Sequence, residues 1–253
     1  MPRERLKFGP QKYAAMHLLL SRWIRKHAAG VDHRYVTMGG TELLDVVSLN
    51  FVDPTLACDA VSYEVLSNRH ALALESQSRL RLAGINITTS HANFFRFERA
   101  DDRPHLFFID LEGVFAWADY HMRVGDMLAA GTIREGDTLF VTSHLGHNPG
   151  WPKVFRTFDG EFRLLNASAN SDKRNWYRKA HCSFTLYKAL QYADLVDDVA
   201  IQPIGTIEYA DTSPMGLFGF VLSTGATHFH RFVAAEDAPY YKPRSGTFER
   251  ARG

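Results

Sequence analysis

Asp110 and Glu112 are the two residues of this chain best placed to do chemistry. The run Leu106-Phe107-Phe108-Ile109 is apolar without interruption and stops on Asp110, with Leu111-Glu112-Gly113 directly behind it. A carboxylate at the end of such a run can accept a proton from a reacting group or orient it. Asp110 can equally cap a helix that starts at Glu112, because Asp accepts backbone N–H bonds well at that position. Other candidates recur along the chain. Gly39-Gly40 would let backbone approach a ligand closely, and Glu64, 24 residues beyond Gly40, could accept hydrogen bonds from ribose hydroxyls. Asn93 could read the edge of a base while Phe94 and Phe95 cover its face, or the two rings could fill the core. His144 and His147, three apart, could hold a metal, but no nearby carboxylate completes a ligand set, so their Gly/Pro-rich loop reads as substrate-facing. Lys173, Arg174, Arg178 and Lys179 interleave with Trp176 and Tyr177, where cations could meet phosphates and rings could stack on bases; a solvated turn is the alternative.

These side chains need strands to position them. Leu106 to Ile109 show no two-residue alternation, as expected of a parallel strand covered by helices on both faces. In open α/β sheets ligands lie beyond the carboxyl ends of such strands, so Asp110 is expected to point into a crevice. The other candidates also follow strand-like stretches: Met38 and the glycines after His33 to Met38, Glu64 near the end of Ala60 to Val65, Asn93 after Ile85 to Thr89, and His144 after Asp137 to Thr142. Helices are expected over residues 10–29, with Tyr13, Met16, Leu19, Leu20 and Trp23 on the apolar side and Lys12, Arg22, Arg25 and Lys26 on a solvated face. Further helices are expected over Glu42 to Phe51, Asn68 to Leu82 and Ala180 to Leu195. Residues 144–179 read as an irregular insertion. Val199 to Tyr209 and Gly216 to Ser223 are two strands with a connection too short for a crossover, so they form an antiparallel hairpin. Residues 242–253 read as a flexible, basic, turn-rich tail.

At 253 residues one α/β domain is expected. With a net charge of +1 and 45% apolar residues, neither a disordered chain nor a bulk nucleic-acid field follows from composition, so any basic surface is local. Cys58 and Cys182 form no CxxC and imply reduced thiols rather than a disulfide framework or a zinc site. The apolar stretch Tyr13 to Leu20 contains His17 and falls far short of the ~20 residues of a membrane span. No cleavage signal follows it, so a soluble, cytoplasmic protein without a membrane partner is expected.

Five β-α units followed by an antiparallel hairpin resemble the class I S-adenosylmethionine-dependent methyltransferase superfamily over roughly Tyr13 to Gly225. The resemblance implies a mainly parallel, seven-stranded, Rossmann-like sheet with helices on both faces and S-adenosylmethionine as cofactor. It places the amino-acid part of the cofactor on Met38, Gly39 and Gly40, the ribose on Glu64 and the adenine on Asn93 with Phe94 beside it. Asp110 and Glu112 fall on its fourth-strand motif. Phe108-Ile109-Asp110 with Gly113, and Ser213-Pro214-Met215 before an apolar strand, look most similar to the three-Cys-motif partner group, at a distance.

The chain departs from the family pattern in three places. Thr37 stands where the first strand should end on an acidic residue, the glycine turn is short, and Asp-Leu-Glu-Gly lacks the paired prolines that clamp an exocyclic amine. The last departure disfavours adenine-N6 methylation of DNA. Two functions follow from the resemblance: methyl transfer to an acceptor, with nucleic acid as a candidate, or a catalytically silent module that binds a partner protein or nucleic acid. A dehydrogenase would need a fuller dinucleotide fingerprint than Gly39-Gly40.

Overall fold

The computed structural model describes residues 9–57, 59–111, 119–145, 173–210, 213–227, 239–244 and 247–250. Helix α1 (Pro10–Trp23) begins on a proline, whose missing N–H costs nothing in a first turn, and continues through a single π-helical turn at Ile24–Ala28. Strand β1 (Arg34–Thr37), helices α2 (Leu44–Val52) and α3 (Pro54–Ala57), strand β2 (Ala60–Tyr63), helix α4 (Ser67–Leu82) and strand β3 (Ile87–Ser90) follow in order. After them come strand β4 (His105–Asp110), helix α5 (Tyr120–Ala129), strand β5 (Thr138–His144) and helix α6 (Lys173–Ala193). The hairpin is β6 (Val199–Ala210) with β7 (Pro214–Thr224), and β8 (Tyr240–Arg244) and β9 (Thr247–Arg250) complete the described elements.

All nine strands form one sheet in the order β3-β2-β1-β4-β5-β7-β6-β8-β9. The first five are mutually parallel, and β7 enters antiparallel between β5 and β6 with Thr142 opposite Leu217. The long hairpin expected from the short connection is therefore present, with one register shift between Pro203 and Gly205. Two strands more than the expected seven are found: β9 lies within the segment 242–253 read as a flexible tail, and β8 runs into that segment from Tyr240. The outer edge of β6 offers unpaired N–H and C=O groups; β8 pairs with it in parallel, and β9 pairs with β8. Burial of Tyr240 secures the addition, which composition alone did not signal.

Each face of the sheet carries its own core. On one side Val36, Phe107, Ile109, Leu139 and Val141 pack with Val124 and Leu128 of α5 and Phe184 and Leu190 of α6. On the other, Tyr35, Leu106, Phe108 and Phe140 pack with Met16, Leu19 and Trp23 of α1 and Val46 and Leu49 of α2. Trp23 locks α1 to β5 by donating its indole N–H to Thr138 Oγ1 at 2.9 Å. β4 is buried along its whole length, the reason its sequence shows no alternation. Among the described residues no helix is long and apolar enough to cross a membrane.

Candidate active site

The carboxyl ends of β1, β2, β3, β4 and β5 lie side by side, because neighbouring parallel strands are in register there: Thr37 beside Phe108, Tyr63 beside Ser90, and Asp110 beside Thr142. Parallelism thus gathers residues far apart in sequence onto one edge. Met38 is half-buried and donates its N–H to the Phe108 carbonyl, extending β1 toward β4. Gly39 is needed for close packing: a β-carbon there would stand 2.4 Å from Ser62 Oγ. Gly40 accepts from the Leu43 N–H at 3.2 Å, and Leu43 itself takes a left-handed conformation to start α2.

Glu64 is buried just past β2, and one of its carboxylate oxygens accepts the Leu66 N–H at 3.0 Å. Next to it, His91 Nε2 lies 3.0 Å from the Val65 carbonyl oxygen and its ring stacks on His70. Asn93 Oδ1 caps a short 3₁₀ turn at Phe94–Arg96 by accepting the Phe95 N–H at 3.0 Å. Phe94 does not cover a base face. It is a core ring, edge-on to Tyr63 and Phe107, because its side of the turn faces the sheet. The ring turned toward solvent is the half-buried Phe95, which meets Tyr120 and lies under the Arg123 guanidinium.

Asp110 ends β4 in a buried polar cluster. Its Oδ1 receives Lys12 Nζ at 2.5 Å and the Thr142 hydroxyl at 2.7 Å, and the same hydroxyl accepts the Leu111 N–H at 2.9 Å. Lys12 is a correction to the reading of α1. It belongs to the buried stripe with Ala15, Met16, Leu19 and Leu20, not to a solvated face. Helical spacing carried that signal, since Lys12 precedes Ala15 and Met16 by one turn; the charge alone pointed outward.

On the same face, Thr37 and Tyr35 donate their hydroxyls to Asp45 Oδ2 of α2 at 2.6 and 2.9 Å. Burial pushes the Asp45 carboxyl up and, with Asp45 as neighbour, raises the Tyr35 hydroxyl well above its usual range. On the opposite face, buried Ser143 of β5 lies 2.8 Å from His181 Nε2 of α6, and His181 also approaches Cys182 Sγ at 3.3 Å. Burial raises the Cys182 thiol well above its ordinary range, so it is not a reactive thiolate. Asp45 and His181 were not singled out from sequence, and Cys182 was read only as a reduced thiol. A lone acid in an apolar helix has no distinguishing neighbours until the strand beside it is known.

His144 closes β5 and is half-buried. Glu112 and His147 lie outside the described residues. Lys173, Arg174, Trp176 and Arg178 occupy the first turns of α6, so the helix begins at Lys173, seven residues before the expected start at Ala180. This backbone is regular where an irregular insertion was expected. Its residues favour helix once α6 has the described apolar packing of Phe184, Leu186 and Leu190 to extend from.

No protein-family model matches the chain, and no curated protein sequence matches it. Among solved structures, Trm5b from Pyrococcus abyssi is similar at 12% identity and a TM-score of 0.43, covering 82% of this chain and 49% of that one. The N-methyltransferase NodS from Bradyrhizobium japonicum, in complex with S-adenosyl-L-homocysteine, is similar at 10% identity and a TM-score of 0.46, covering 88% and 91%. A human methyltransferase 10 domain containing protein is similar at 11% identity and a TM-score of 0.46, covering 87% of each chain. The chain therefore spans about half the length of Trm5b and most of the other two. Five parallel strands closed by an antiparallel β6–β7 hairpin are the order on which the resemblance rested, and that Rossmann-like topology is present in this chain.

Proposed function

We propose that the chain binds S-adenosylmethionine across the carboxyl ends of β1, β2 and β3 and transfers its methyl group to an acceptor held beyond β4 and β5. The observation that carries this reading is the alignment of three suitable groups on one edge: Gly39 packed with no room for a side chain, the Glu64 carboxylate, and Asn93. The residues fit the cofactor. Glu64 keeps a carboxylate oxygen beyond the one bound to Leu66 N–H, which suits it to ribose hydroxyls, and Asn93 retains its amide N–H₂ for a base edge. Phe95 and Arg123 supply a flat, cationic-aromatic wall beside them.

The bound cofactor would supply an electrophilic methyl group; the chain's part is alignment. Asp110 can orient an acceptor hydroxyl or amine or accept its proton, once Lys12 and Thr142 hold the carboxylate in place. Calorimetric titration with S-adenosylmethionine or S-adenosyl-L-homocysteine tests the reading. Wild type should bind, and Glu64→Ala should weaken binding by about 1.5 to 3 kcal/mol, the loss of hydrogen bonds to a charged group. Equal affinity in the variant rejects the assignment of Glu64, and no binding to wild type rejects the cofactor.

For the acceptor we propose nucleic acid, on the ground that Lys173, Arg174, Arg178 and Lys179 with Trp176 share the opening turns of one helix. Phosphate contacts release counterions, so affinity should fall with salt by a slope of about 0.7 to 0.9 per neutralised phosphate. Replacing the four basic residues together by Ala should flatten that slope by roughly two to four units, and Trp176→Ala should cost about 1 to 3 kcal/mol on single strands. Filter binding at two salt concentrations is sufficient, and affinity unchanged by either variant removes nucleic acid from the reading.

A second reading, a catalytically silent module, is favoured by one contact: the Lys12 ammonium already neutralises Asp110. Cofactor binding without methyl transfer to any nucleic acid or protein acceptor tried would select it.

A further inference from the structure

Along the amino-terminal edge of the sheet the arginines are paired with acids: Arg34 with Asp101, Arg99 with Asp137, Arg134 with Asp102, and Arg103 with Asp32, Asp59 and Asp101. The end of α1 is different. Arg22, Arg25 and Lys26 follow one another over its last turn and the π-helical turn, and among the described residues none of them forms an ion pair. Arg22 Nη1 donates instead to the Tyr241 hydroxyl at 2.7 Å. Arg250 stands opposite Tyr241 in the antiparallel β8–β9 pair, where facing residues share one side of the sheet, and it too forms no ion pair among the described residues. The acids nearby are turned away. Glu249 alternates with Phe248 and Arg250, and Glu208, which accepts the Tyr240 hydroxyl, alternates with buried Ile207, so both belong to the opposite side. Arg25, Lys26 and Arg250 are exposed. Cations at a helix C-terminus suit its dipole, which accounts for Arg25 and Lys26 but not for Arg250, a residue of a strand. Burial, then the charges of Lys26 and Arg22, hold the His27 imidazole below its usual range.

We infer that the end of α1 and β9 together form a second phosphate-binding surface, made of Arg22, Arg25, Lys26 and Arg250, which holds the backbone of a nucleic-acid strand flanking the acceptor. This rests on the nucleic-acid acceptor proposed above. Cations gathered without acids raise the local concentration of a polyanion, and three of these four are arginines, whose planar fork fits phosphate oxygens. A bilayer would need large apolar side chains facing outward, whereas Tyr241 and Phe248 pack inward on the core beneath α1. The direction of α1 fixes where the surface lies. Lys12 meets Asp110 at the carboxyl edge and Trp23 meets Thr138 at the start of β5, so the cluster stands about 15 Å farther along the helix axis. It is also on the other face from α6, whose core residues Phe184 and Leu190 pack on the side away from α1. The two basic surfaces therefore act on different parts of one strand.

Filter binding of a mixed-sequence single-stranded RNA over a range of salt concentrations tests the inference. Lys26→Ala with Arg250→Ala removes one exposed cation from each element, and the salt slope should flatten by about one and a half units. Arg79→Ala with Arg81→Ala takes the same charge from the exposed side of α4, beside β3 at the far edge of the sheet, and should leave the slope as in wild type. An unchanged slope in the first variant overturns the inference, and so does equal flattening in both, because bulk charge then accounts for it. Either result leaves the acceptor reading to the α6 variants. Absence of RNA binding to wild type overturns the acceptor reading, and this inference with it. Vesicles of phosphatidylserine and phosphatidylcholine supply the last arm: wild type should bind them more weakly than RNA, and stronger binding that Lys26→Ala with Arg250→Ala abolishes would assign the surface to a membrane and overturn the inference.

Discussion

Asp137→Ala is expected to lower the free energy of unfolding by about 3 to 5 kcal/mol, the cost of leaving a buried cation without its partner. Asp137 is fully buried at the opposite, amino-terminal edge of the sheet, where β4 and β5 begin. Its Oδ2 accepts Arg99 Nη1 at 2.9 Å and the Arg134 N–H at 2.8 Å, while its Oδ1 accepts Arg99 Nη2 at 3.0 Å and the His105 N–H at 2.7 Å. One carboxylate thus satisfies a bidentate guanidinium and two backbone donors, of which the His105 N–H is buried. Arg99 extends the bracket by donating to the Thr132 and Arg103 carbonyls. Urea unfolding checks the prediction: the midpoint should fall with an unchanged slope, and Asp137→Asn should lie between wild type and Ala. A loss under about 1 kcal/mol would mean that the bracket relaxes or hydrates, contrary to this account. Ligand affinity in the folded fraction should not change, since none of these groups reaches the carboxyl edge.

The Lys12–Asp110 pair should show the same physics at the site itself. Both side chains are only 6% exposed, so solvent does not screen the pair. Lys12→Met is expected to cost about 3 to 5 kcal/mol because it strands the Asp110 carboxylate, whereas Lys12→Met with Asp110→Leu should recover most of that loss. Recovery is expected because the replacements would meet apolar neighbours, with Phe108 under the ammonium and Met16 and Leu20 along the helix. A double variant as unstable as the single one would show that packing rather than charge is at stake. The two variants also separate stability from function: if Asp110 serves the acceptor, the double variant folds, binds cofactor and fails to transfer methyl.

The order of elements was legible in the sequence because each strand's apolar run is bounded by its own punctuation. Leu106 to Ile109 read as a buried parallel strand, and the short connection after Tyr209 compelled a hairpin. Asp110 and Glu64 were legible for a related reason: a polar residue closing a buried run has little choice but to stand at the strand's end. The outer strands β8 and β9 were not. Tyr240–Arg244 and Thr247–Arg250 show no buried apolar run of their own, and they are strands because β6 presents an edge for β8 to pair with, a fact about another segment.

What the sequence by itself determined was therefore the succession of strands and helices and the set of polar groups along one edge, both being local consequences of pattern and chain direction. Only the tertiary structure decided which of those groups are held by others. Lys12 on Asp110, Asp45 on Thr37 and His181 beside Ser143 join residues that no local pattern relates, the first of them 98 positions apart. Each is a buried polar side chain whose partner is fixed by how a helix lies on the sheet, and that placement follows from the shared burial of the whole apolar face.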